Sequence, residues 1–334
     1  MNVRVLRPGL LTTVQDPGRT GFAALGIGYA GAMDPVALRL ANALAGNAEN
    51  SAALEITLAG PRLRFEIDSL IALTGADVEA RVDSEPVPAW RPVALRAGSE
   101  LDLGRVHRGT RCYLAVAGGF DGNEVLGSRS CDLHGGIGGQ MLRSGDTLEC
   151  AQPTSAARRS LSDLLRGAAD TPAKVCGANW SLDPQPWLDP HSRPLRVLIG
   201  SHYDCLDANS QRALFDAEFH IGADSNRVGY RLQGTDLLLR EPLELISEGV
   251  VAGTVQLPPG GNPIVLMAEA PTCGGYPRIA QVISLDLPRL AQCRPGDTLR
   301  FEETSLERAQ SGYLERERAL THLIRTIGKR LQDN

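Results

Sequence analysis

The stretch EAPTCGGYPRIA, residues 269–280, sets a hydroxyl, a thiol, two glycines, a phenol and a guanidinium side by side: Thr272, Cys273, Gly274, Gly275, Tyr276 and Arg278. That combination suits the lip of a ligand pocket. Adjacent glycines bare backbone N–H groups that can face a developing oxyanion, and an arginine holds charge. Cys273 reads in two ways, as a nucleophile facing those donors or, more plainly, as a small buried thiol at a strand end. A second polar cluster is GADSNRVGYRLQG, residues 222–234. As a site, Asn226 supplies an amide that reads a lactam or ureido group and Arg227 a fork for carboxylate or phosphate; as a turn, Asp-Ser-Asn simply bonds to its own backbone. SEGVVAGTVQLPPGG, residues 247–261, adds Glu248 and Gln256, which fit a pocket wall or a solvated strand face.

Several common chemistries are disfavoured by what the chain lacks. It has no Walker-type GxxxxGK[ST], no GxSxG, no HExxH and no CxxC, and no metal site is expected. GIGYAG at 26–31 satisfies GxGxxG, but its context is wrong for a dinucleotide fingerprint, because the helix signal Asp34-Pro35 comes after the glycines rather than within them. As a glycine-rich loop it retains the capacity to receive an anion on its backbone N–H groups. The six histidines are scattered, and His134 in DLHGGIGG is the one beside a flexible loop, where a turn or surface role is the simpler reading. Of the 34 basic residues, Lys174 and Lys329 are the only lysines, so Schiff-base chemistry and a biotin attachment site have almost nowhere to go.

The elements that must position these residues read as strands. Short apolar runs bounded by Gly, Pro, Asp and Ser recur: SLIALTG, RCYLAVAGG, PLRVLIG, LELISEG, GTVQLPPG, PIVLMAEA and DTLRFEE. Helices are fewer. One is predicted from Asp34-Pro35 to a stop at Gly46, one after Asp207, and one from about Ser305 to the C-terminus, where Leu306, Tyr313, Leu320, Leu323, Ile324, Ile327 and Leu331 recur near helical spacing. Residues 151–192 break the strand rhythm and read as a linker carrying one helix. The partition expected is a first β-barrel-like unit at 1–150, that linker, a second β unit at 193–303 and a C-terminal helix at 304–334. LRSGDTLEC (142–150) and CRPGDTLRFEE (293–303) echo one another, consistent with two related β units.

With 334 residues, 43% hydrophobic and 22% charged, the chain has ample material for a core. A net charge of −5 without a basic block leaves no footprint for nucleic acid or an anionic membrane. The N-terminal residues meet Arg4 and Arg7 at once with no long apolar run, and the seven cysteines are an odd set without regular pairing. A cytoplasmic protein with free thiols is expected.

Taken together, QDPGRTGFAALGIGYAGAMDPVALRLANALAGN, LAVAGGFD, GADSNRVGYRLQG, SEGVVAGTVQLPPGGNPIVLMAEAPTCGGYPRIAQV and DLPRLAQCRPGDTLRF resemble the Kip antagonist family, also called the 5-oxoprolinase C subunit or allophanate hydrolase subunit 2. The resemblance runs from about Val5 to Phe301 and extends to the carboxyltransferase region of urea carboxylase. It implies a mainly β fold of two cyclophilin-like β-barrel units with a few short helices. It also implies two partners, a Kip inhibitor-like B subunit together with a LamB/YcsF-type A subunit, and an ATP-dependent opening of the 5-oxoproline lactam to glutamate. Under that reading Glu248, Asn226 and Arg227 do the chemistry, while Gln256, Thr272, Gly274, Gly275, Tyr276 and Arg278 bind the substrate. With no nucleotide motif in the chain, ATP is expected at a subunit interface or on a partner. Arg278 stands where members often carry lysine; arginine keeps the charge but does not release a proton, which favours anion binding there. Members commonly carry a hydroxyl residue where Cys273 stands, which weakens its case as a required nucleophile. Two alternatives use the same residues: carboxyl transfer from carboxybiotin on another protein to a urea-like amide, and non-catalytic sequestration of a Kip inhibitor-like protein.

Overall fold

The computed structural model describes residues 2–168, 173–186 and 193–333, so His191 and parts of the expected linker lie outside the described residues. The chain forms two compact units, each discontinuous in sequence. The first combines Met1–Gly18, Asp34–Leu188 and Ala319–Asn334, and the second combines Arg19–Met33 and Asp189–Arg318. Each is built on one large, mostly antiparallel sheet, so the mainly β expectation holds.

In the first unit a 10-stranded sheet is organised by two long partners, Ser69–Val82 and Glu100–Val116. Their inward residues, among them Ile71, Leu73, Leu101, Leu114 and Val116, share a core with Leu54, Ile56, Leu63 and Phe65. Helix α1 (Pro35–Leu44) covers part of this sheet, starting where the sequence signals it: Asp34 accepts from the Ala37 N–H, and Pro35 occupies the first turn, where its missing N–H costs nothing. Buried Tyr113 fixes that start, its hydroxyl accepting from the Asp34 N–H and donating to Glu55. Helix α2 (Ser155–Gly167) is the one expected within 151–192. The same stretch also contributes a strand, Val175–Gly177, which pairs antiparallel with Val93–Leu95. What reads as a linker is partly sheet, because three residues are too few to show a period.

The second unit carries an eight-stranded sheet. Its order is Thr298–Leu299, Phe219–Ile221, Gly229–Gly234, Ile264–Leu266, Thr254–Gln256, Arg278–Val282, Leu195–Ile199 and Phe301–Glu303. The last pair is parallel. Phe219, Leu232, Val255, Val265, Ile279 and Phe301 fill its core, with helices α3 (Ala208–Asp216) and α4 (Leu287–Ala291). Helix α5 (Leu306–Asp333) is the predicted C-terminal helix; its residues to Arg318 belong to the second unit and those from Ala319 to the first. LELISEG differs from expectation: Glu248–Gly249 alone enters a ladder, and Ile246 is 90% exposed, because these apolar residues have no facing layer.

The internal echo has a structural counterpart. In Arg143-Ser-Gly-Asp146 and Arg294-Pro-Gly-Asp297 the arginine N–H donates to the aspartate Oδ2, at 2.7 Å in both. The glycine N–H and the aspartate carbonyl then clasp one residue of a strand: Val5 accepts from the Gly145 N–H and donates to the Asp146 carbonyl in one unit, and Ile221 accepts from the Gly296 N–H and donates to the Asp297 carbonyl in the other. Gly145 and Gly296 take φ of 93° and 90°, the left-handed region where glycine is favoured.

Candidate functional site

Strand Thr254–Gln256 lies between Ile264–Leu266 and Arg278–Val282, with Gln256 opposite Arg278 in register. The Gln256 side chain is turned inward, 4% exposed, and its Nε2 has no hydrogen-bond partner among the described residues. It is directed at Gly274, where a Cβ would come within 2.5 Å of it. Gly274 belongs to a two-stranded ribbon in which Glu248 pairs with Gly274 and Gly249 with Cys273. Arg278 ties the ribbon to the sheet: its Nη2 pairs with Glu248 Oε2, and its Nη1 donates to the Gly249 carbonyl at 3.2 Å. Glu248, Gln256, Gly274 and Arg278, separated by up to 30 positions, therefore meet at one place.

The rest of the lip is positioned by backbone. Thr272 O accepts from the Val250 N–H, a Cβ at Gly275 would come to 3.5 Å from Leu245 O and 3.6 Å from Ser247 Oγ, and Tyr276 is 46% exposed. His202, to which the sequence assigns nothing, joins from the end of strand Leu195–Ile199. Its Nδ1 accepts from the Arg278 N–H at 3.2 Å, and its own N–H donates to the Arg278 carbonyl at 3.0 Å. That bond makes Nδ1 an acceptor and leaves the ring proton on Nε2. His134, in the first unit, lies on an exposed turn.

Asn226 and Arg227 have other attachments. Asn226 Oδ1 accepts from the N–H groups of Val228 at 2.8 Å and Gly229 at 3.4 Å, the self-bonded turn that the Asp-Ser-Asn composition allows. Arg227 and Glu269 form a buried ion pair, 4% and 2% exposed, with Nε to Oε1 at 2.5 Å. Arg227 Nη2 donates to the Gly31 carbonyl at 2.6 Å, which braces the GIGYAG loop against the segment leading into the lip. Glu269 is the residue that sequence reasoning leaves unassigned, although it opens the very stretch singled out. Its signal is a carboxylate beside apolar strand sequence, which needs a buried cation.

The cations predicted to hold an anion are thus both engaged by carboxylates: Arg227 by Glu269 and Arg278 by Glu248. What the lip presents instead is a neutral donor, the Gln256 amide, in a sheltered position. Among the described residues no group of three or more His, Cys, Asp or Glu is placed to hold a metal ion, and no helix is long and apolar enough to cross a membrane. All seven cysteines are free thiols, with Cys273 exposed.

Comparison with known proteins gives this geometry a family. A model described as the carboxyltransferase domain, subdomain A and B, matches residues 25–303. The chain is 41% identical to the C subunit of 5-oxoprolinase from Escherichia coli (strain K12), over 96% of this chain and 97% of that protein. It is also 41% identical to the corresponding 5-oxoprolinase C subunit of Haemophilus influenzae, over 89% of each. Among solved structures, the K. lactis urea amidolyase superposes with a TM-score of 0.82 at 29% identity, covering 96% of this chain and 20% of that much longer one. With sequence match and fold in agreement across both β units, the chain belongs to the carboxyltransferase subdomain A and B family, alongside the 5-oxoprolinase C subunits.

Proposed function

We propose that this chain is the C subunit of an ATP-dependent 5-oxoprolinase that opens the 5-oxoproline lactam to glutamate. One observation carries the reading: 41% identity to a 5-oxoprolinase C subunit that extends over nearly the full length of both proteins. A lactam resists water at neutral pH, so its carbonyl must be polarised and its ring nitrogen given a proton. In this scheme the buried Gln256 amide donates to the carbonyl oxygen. Glu248, oriented by Arg278, takes a proton from the attacking water, whose oxygen bonds to the carbonyl carbon, and passes it to the ring nitrogen as the C–N bond breaks. Thr272, Gly275 and Tyr276 shape the mouth. Asn226 holds its own turn, and Arg227 braces through Glu269 the segment that leads into the lip.

ATP fits these residues poorly. A bound triphosphate requires converging N–H groups and cations that are not already neutralised, whereas Arg227 and Arg278 each face a carboxylate and the GIGYAG loop turns the Gly31 carbonyl toward Arg227. Nucleotide activation is assigned to the partners, a Kip inhibitor-like B subunit together with a LamB/YcsF-type A subunit, in a cytoplasmic hetero-oligomer. No step of the chemistry on this chain is routed through ATP.

The test is glutamate formation from 5-oxoproline and ATP by the chain purified with both partners, each omitted in turn. Glutamate that requires all three supports the assignment; none from a stable complex overturns it. A second reading, carboxyl transfer from carboxybiotin to an amide, is favoured by the fold match to urea amidolyase. It predicts dependence on a partner bearing biotin, since this chain carries no attachment sequence.

A further inference from the structure

The buried amide and the glycine beside it say what kind of group the lip accepts. We infer that Gln256 and Gly274 are the specificity-determining pair, and that they select a neutral carbonyl oxygen, that of a lactam, amide or ureido group, rather than a carboxylate. This rests on the lactam-opening reading above and narrows it.

Two independent observations carry the inference. Gln256 is 4% exposed, yet its Nε2 has no partner among the described residues, although a buried N–H left unsatisfied is costly. A donor kept in that state is reserved for an acceptor that arrives from outside. Separately, Gly274 stands where a Cβ would lie 2.5 Å from Nε2, against 3.5 Å from Cδ and 3.7 Å from Oε1, so the nitrogen end of the amide is the end turned to the ribbon. A side chain at 274 would displace the donor from this position.

The charge balance decides the ligand class. Arg278 at the lip is paired with Glu248, and the Arg227 brace with Glu269, so neither guanidinium is left unneutralised and the donor left to meet a carboxylate is a neutral amide. Carboxylates are held best by charge-assisted, bidentate donors, whereas a carbonyl oxygen is satisfied by one neutral N–H. The carboxylate of 5-oxoproline is therefore held outside this lip, and the lactam carbonyl is what enters it.

Two probes separate those groups: 2-pyrrolidinone has the lactam without the carboxylate, and proline has the carboxylate without the lactam carbonyl. Binding of each to the full-length chain, and inhibition of the reconstituted complex by each, is compared for the unaltered chain, Gln256→Leu, Gln256→Glu and Gly274→Ala. Thermal melting and circular dichroism identify any variant that does not fold. The expected result is that 2-pyrrolidinone outcompetes proline on the unaltered protein. Its affinity should fall about tenfold or more in all three folded variants, while that of proline stays within about twofold. Affinity for 2-pyrrolidinone that is unchanged in Gln256→Glu and Gly274→Ala, or no preference for it over proline, overturns the inference. The two readings fail separately. Lactam binding that depends on Gln256 without 5-oxoproline turnover removes the oxoprolinase assignment alone. Turnover indifferent to Gln256→Glu and Gly274→Ala removes the specificity pair alone.

Discussion

Arg227 and Glu269 place a full charge pair in the interior of the second unit, 4% and 2% exposed. Such pairs are costly to break from one side, because the survivor keeps a desolvated charge. Arg227→Ala should therefore lower unfolding stability by about 3–5 kcal/mol, and the double change Arg227→Met with Glu269→Met should recover most of it, both read by urea unfolding. Arg227→Ala with unaltered stability but lost turnover would instead put the guanidinium in contact with substrate. The cysteines make a second residue-scale case. Burial pushes the Cys112 thiol up to about 12, with Asp77 adding to it, and burial pushes Cys150 up to about 12. Cys273 is exposed. Since the thiolate is the reactive form, iodoacetamide on the folded protein should label Cys273 well before Cys112 or Cys150, as mass spectrometry of peptides will record.

The strand Leu195–Ile199, whose end delivers His202 to the lip, is tied to the start of α4 through one carboxylate. Arg196 donates to Asp286 from its backbone N, Nε and Nη2, at 2.8, 3.0 and 2.6 Å. Burial alone would raise Asp286, but the hydrogen bonds and charge of Arg196, with Arg289 adding, outweigh it and hold the carboxyl below its ordinary value. A depressed folded-state pKa means the stabilisation is fully present above the unfolded value of about 3.9 and is lost as pH falls through the folded one. Denaturant midpoints should thus decline on acidification below about pH 4, and Asp286→Asn should be less stable at pH 7 with a flatter decline. The same elements show what the sequence could and could not reveal. Helix α1 was legible because Asp34, Pro35 and Gly46 mark it locally. The meeting of Glu248, Gln256, Gly274 and Arg278 was approachable because their short segments are ladder neighbours. His202 and Glu269 were not, since each reaches its partner through a pairing that no local pattern encodes. LELISEG misled for a related reason: apolar composition marks a strand only when another layer covers it, and Ile246 at 90% exposure has none.

At the scale of the whole molecule, the matched Arg-x-Gly-Asp turns indicate that the two β units close their sheets by the same local device, despite different strand orders. In each, the turn's glycine and aspartate grip one strand residue, Val5 or Ile221, so the device couples the turn to the sheet of its own unit. Gly145 and Gly296 make that possible at φ of 93° and 90°, and a Cβ at either would meet nothing within 4 Å. The cost of alanine there is consequently backbone strain rather than crowding, about 1–2 kcal/mol each. Hydrogen exchange can assign that cost to a unit. Gly145→Ala should weaken protection in strand Asn2–Arg7 and its ladder partners while leaving Phe219–Ile221 unchanged. Gly296→Ala should do the reverse, and the double variant should show both losses, additive to within about 0.5 kcal/mol. If either substitution opened both sheets together, the two units would be one cooperative fold, and the repeated turn would be a shared motif without independent closure behind it.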